Sequence, residues 1–125
     1  EGGTDYVKWG AGTFEQVIAK RGQEPWISIK IPTILNDIEG FQVVETNRKM
    51  IPIGNQKDRL CKDFFYDIMM IYKAAHPFII EDLGITLEDF PNFINRFMHE
   101  CTLQPWPQWS FIYCIAQKQL SASLS

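Results

Sequence analysis

The chain changes character near residue 55, and that change constrains the fold more than any other feature. Upstream, short apolar runs rich in Ile and Val sit between Gly, Pro and Asn punctuation. Downstream, Phe, Ile, Met and Tyr recur at helical spacing over long stretches. Alternation with period two half-buries a strand, whereas recurrence every three or four residues buries one face of a helix. The combination predicts an α+β fold: an N-terminal helix and a small two- to three-stranded sheet packed on a C-terminal group of three helices. With 125 residues, 46% of them hydrophobic, the chain is long enough to be one domain, residues 1–125, with a core of its own.

Residues 1–12 are Gly-rich and read as irregular, and Thr13 caps a helix over 14–21 that Gly22 ends. Trp26–Ile31 alternates and reads as a half-buried strand ended by Pro32. A turn over 36–40 leads to a second strand, Phe41–Thr46. Asn47-Arg48 then turns into a third piece, Met50–Ile53, which Pro52 confines to an edge or an extended loop. Asn55 caps a central helix running to Ala75, apolar around most of its circumference, with a narrow wet face of Arg59, Lys62, Asp63 and Asp67. His76-Pro77 stops it, and Phe78–Ile80 reads as a short strand or a buried connection.

The cleanest helical signal follows a turn at 86–89: Phe90, Phe93, Ile94, Phe97, Met98 and Cys101 fall on one face. Pro107 opens a last helix through Gln119, although Trp109–Ala116 is also rich in strand-favouring residues. Residues 121–125 read as a frayed tail.

Whole-chain properties narrow the function classes. The longest apolar run falls far short of the ~18 residues that a membrane span needs, so no membrane contact is expected. A net charge of -3 argues against a general binder of phosphate backbones. The odd set Cys61, Cys101 and Cys114, each among apolar neighbours, predicts buried free thiols in an intracellular, reducing compartment.

Two short motifs dissolve on inspection. Gly54-Asn55-Gln56-Lys57-Asp58 resembles the guanine-reading loop of small GTPases, but the lysine is one place late. No Gly-rich phosphate loop accompanies it, and the segment reads as a helix cap. Cys61, His76, His99 and Cys101 include the residue types of a zinc site. His99 and Cys101, however, are two apart on a helix, roughly 200° around its axis, and cannot hold one ion together. Asp63 and Asp67 share a helix face at i, i+4, which Lys62, Arg59 and solvent relieve.

A larger pattern has catalytic meaning. Glu15 lies on a helix, Asp37 follows a strand, Glu45 ends the next strand, and a long helix comes after. Over residues 13–75 this order resembles the core of the PD-(D/E)xK nucleases. The resemblance implies nucleic acid as substrate and Mg²⁺ or Mn²⁺ held by Asp37 and Glu45, with Glu15 and Lys49 completing the site. Pro32 lies five residues before Asp37 and not next to it, and Asn47 stands where the motif has lysine.

The stronger expectation is a non-catalytic interaction module, without a cofactor, that binds another protein or other domains of a parent chain. Trp106 and Trp109 lie in a Pro-stiffened segment, and rigid aromatics supply contact area at low entropic cost. Tyr66 and Met70 on the central helix extend the expected surface, and Met69 and Met98 add adaptable apolar area.

Overall fold

The computed structural model describes residues 2–119, so the expected tail at 121–125 lies outside the described residues. The fold is α+β, with five α-helices and one two-stranded antiparallel sheet among those residues. Its elements are α1 (Asp5–Lys20), α2 (Ile27–Asp37), β1 (Phe41–Pro52), α3 (Arg59–Ala74), α4 (His76–Leu83), α5 (Phe90–Cys101) and β2 (Gln108–Lys118). They gather into two compact units. One comprises residues 2–23 and 50–109, the other residues 24–49 and 110–119. No helix among the described residues is long and apolar enough to cross a membrane.

The first unit is a helical core. Helix α1 begins at Asp5 because the Thr4 side chain accepts the Val7 N–H, so most of residues 1–12 is helical rather than irregular. Gly10 sits inside this helix for a packing reason: a Cβ there would meet the Phe97 ring at 2.5 Å. Asp58, not Asn55, caps α3 by accepting the Cys61 N–H at 2.9 Å. Pro77 occupies the first turn of α4, where its missing N–H costs nothing, and Gly84 closes that helix at φ 70°. Residues 78–80 are therefore helical and not a strand. Thr86 and Asp89 form a reciprocal capping box before α5.

The predicted stripe of α5 is buried as Phe90, Phe93, Ile94, Phe97 and Cys101, with Met98 at its margin. Tyr72 of α3 stacks between Phe14 and Phe97, its ring centre 4.8 Å from each, and donates its hydroxyl to the Gly10 carbonyl at 3.2 Å. Burial and the neighbouring Cys101 push the Tyr72 phenol above its usual range. Burial first, and then the charge of Glu100, push the Cys101 thiol up to about 12.

The second unit corrects the sequence reading most. Residues 27–37 form a helix, not a strand ended by Pro32. The five-residue alternation of Ile27, Ile29 and Ile31 is too short to exclude a helix. Half-buried Ser28, Ile31, Pro32 and Leu35 recur at helical spacing. Glu24 stabilises the entry by accepting the Trp26 N–H at 3.0 Å and pairing with Lys30 at 2.7 Å.

Strand β1 continues through Asn47-Arg48 without a turn and ends at Pro52, which has no N–H to carry a ladder further. Residues 108–118 pair with it as β2 and are not a helix, as the β-branched and aromatic content of Trp109–Ala116 favours. In the second unit the ribbon is held by the Gln119 N–H to the Gly40 carbonyl at 2.7 Å and Arg48 Nε to Ser110 Oγ at 2.9 Å. Asn36 at the end of α2 accepts the Val43 N–H of β1 at 3.0 Å.

Candidate functional site

A groove of about 720 Å³ runs along α3 within the first unit. Capping by Asp58 fixes where α3 starts and hence which residues face outward. Cys61, Ile68, Met69 and Tyr72 turn toward the core. At 100° per residue, Arg59, Lys62, Tyr66, Met70 and Lys73 then lie on one outward face. The floor is Phe65 and Met69 from α3 and Met98 from α5, all in contact with the core or part of it.

Tyr66 and Met70 are 63% and 45% exposed, although both are large and apolar. Lys57, Arg59, Lys62 and Lys73 bring four cations to the lining, against one carboxylate, Asp63. Asp63 faces Arg59 at 4.0 Å across an exposed i, i+4 pair. A chain of net charge -3 thus carries a locally basic groove.

The structure brings together two of the four residues expected at a partner surface. Tyr66 and Met70 line the groove, whereas Trp106 and Trp109 do not. Trp106 is half-buried, donates its indole N–H to the Thr102 carbonyl at 3.1 Å and lies over Gly54, leaving no room for a Cβ there. Trp109 is half-buried against the core. Met69 and Met98, expected to add adaptable apolar area, also line the groove, whereas Lys57 and Lys73 formed no part of the expected surface. The signal for Lys73 was present, because it repeats the helical spacing of Arg59, Lys62, Tyr66 and Met70.

The residues of the nuclease-like pattern occupy different settings. Glu15 lies on α1 of the first unit, whereas Asp37, Glu45 and Lys49 belong to the second. Asp37 is the last residue of helix α2 and follows no strand, so the element order of the resemblance is not kept. Glu45 lies mid-strand and accepts the Tyr113 hydroxyl at 2.9 Å. Among the described residues, no three His, Cys, Asp or Glu side chains converge where they could hold a metal ion. Cys101 is fully buried and His99 exposed, on opposite sides of α5 as their spacing requires.

No family model matches the chain, and neither a curated protein nor a solved structure matches it significantly.

Proposed function

We propose that this chain is a non-catalytic protein-binding module that takes a segment of another protein, or of a parent chain, along the outward face of α3. The observation that carries the reading is the exposure of Tyr66 and Met70 above the apolar floor of Phe65, Met69 and Met98. A partner side chain seated there removes apolar surface from water on both molecules. Tyr66 offers a rigid ring with few torsions to immobilise, and the methionines adapt to the shape of what enters. Among the described residues, the groove lining holds no nucleophile paired with a base, and its one carboxylate, Asp63, faces Arg59. Three free thiols, two of them buried, support residence in a reducing compartment.

The test is selection of binders from a displayed library of random peptides against the whole chain. Enriched peptides should lose roughly 10-fold in affinity to Tyr66→Ala or Met70→Ala, as expected of an interface hot spot. Both variants should keep the wild-type Tm, because both side chains are exposed. A library that yields no binder, or binders indifferent to both substitutions, would overturn the reading.

A further inference from the structure

The groove has a charge order as well as a shape. Arg59 and Lys62 lie near the start of α3 and Lys73 near its end, with Tyr66 and Met70 between them on the same face. At 1.5 Å per residue, the cationic ends are roughly 16–21 Å apart along the axis. Lys57, just before the helix, strengthens the first end. Among the described residues of the lining, Asp63 is the one charge of opposite sign, and Arg59 already faces it.

We infer that the occupant is a peptide segment with an apolar centre flanked on both sides by Asp or Glu. This rests on the protein-binding reading above and adds the composition and charge order of the partner. Carboxylates at both ends of the segment meet Arg59 and Lys62 at one side and Lys73 at the other. The central side chain enters over Met70 and the Met69–Met98 floor. Both features are needed. A uniformly acidic strand would leave the floor wet, and a purely apolar one would add no countercharge to Lys62 and Lys73. Paired charges at an exposed rim set register and encounter rate more than affinity, so the apolar anchor supplies most of the binding.

Two other anionic partners fit the charge but not the arrangement. A nucleic-acid backbone presents charge at every nucleotide, whereas here the middle of the face is Tyr and Met. A bilayer surface is flat, and the apolar floor of a groove is recessed from it.

Fluorescence anisotropy on the full chain tests this with three labelled peptides of one length. The first has acidic ends and a Leu/Phe centre, the second has the same residues with the acids moved to the centre, and the third has lysine ends. The first should bind tightest and weaken with added salt. Lys62→Glu and Lys73→Glu should each weaken it by about 3- to 5-fold, the scale of an exposed ion pair. The double variant should prefer the lysine-ended peptide. Such an inversion cannot come from misfolding.

Equal binding of the first and second peptides, or wild-type preference for the third, would overturn the inference. So would tighter binding of a single-stranded oligonucleotide or of phosphatidylserine vesicles than of the first peptide. If library selection returned neutral or basic binders that still needed Tyr66, this inference would fail and the protein-binding reading would stand. If no peptide of any composition bound, both would fall.

Discussion

The two units of this molecule use apolar residues in opposite ways. In the first, the large side chains interlock: Tyr72, Phe97, Ile51, Ile53 and Ile79 are almost wholly removed from water. In the second, not one described residue is buried, and Trp26, Ile27, Ile29, Ile34, Val44, Phe111 and Ile115 are all exposed. The Ile-rich sequence of α2 is at least as apolar as that of α3, yet α2 buries nothing. Apolar content therefore does not measure core. What matters is how many layers cover an element, and a helix beside a two-stranded ribbon has too few. The second unit is held by local polar contacts, such as Asn36 to Val43 and Arg48 to Ser110, each worth about 1 kcal/mol or less.

The largest expected difference between the units is in the cost of a cavity. Phe97 is fully buried and touches Gly10, Phe93 and Tyr72. Phe97→Ala should destabilise by about 3–5 kcal/mol, since α1 and α5 collapse only partly onto the space left. Urea unfolding followed by far-UV circular dichroism reads this directly. A loss below about 1 kcal/mol would mean that the first unit is not the close-packed core described here.

Legibility in the sequence followed the same division. Helices α3 and α5 were readable because their apolar stripes run over several turns and burial then follows the stripe. The outer face of α3 is broader than its sequence suggests: Leu60, Tyr66, Met70 and Ile71 are exposed beside the expected wet residues Arg59, Lys62, Asp63 and Asp67, because only part of the apolar circumference finds a covering layer. Helix α2 and strand β2 were misread because neither has a dominant buried face to enforce a period. The alternation of Ile27, Ile29 and Ile31 is a real pattern without a structural consequence, as none of the three is buried. Pro77 hides helix α4 in the sequence, because a proline after a helical stretch reads as a stop and here acts as a start. The roles of Trp106 and Trp109 depend on Gly54 and Thr102 and on the core, partners that no local spacing reveals.

An intermediate effect is expected at alkaline pH, and it belongs to the first unit. The buried Cys101 thiol and Tyr72 phenol both ionise at higher pH folded than unfolded. The unfolded chain releases the Cys101 proton near its ordinary value of 9.0, while the folded protein keeps it until about 12. Stability from this group is thus fully present below pH 9.0 and is lost as pH rises toward 12. The slope is up to about 1.4 kcal/mol per pH unit for one group, and Tyr72 adds to it in the same direction. Thermal melts should show a Tm that is level near neutrality and falls above pH 9.0. In Cys101→Ala the starting Tm should be lower but the alkaline fall shallower. A fall of equal steepness in both proteins would remove Cys101 from this account.

The smallest effect should come from the second unit, and its smallness is the informative result. Ile29 is 55% exposed on α2, and Ser has nearly the same helix propensity as Ile. Ile29→Ser should therefore change the unfolding free energy read from urea titration by no more than about 0.5 kcal/mol, the usual range for an uncovered surface position. The same substitution at Ile79, which is fully buried on α4, should cost several-fold more. The pair exchanges one residue type for another at one exposed and one buried helical position, so propensity and unfolded-state terms largely cancel. If Ile29→Ser matched Ile79→Ser, α2 would have to be covered in solution, and the contrast between the units would become a statement about an occupied surface instead of an open one.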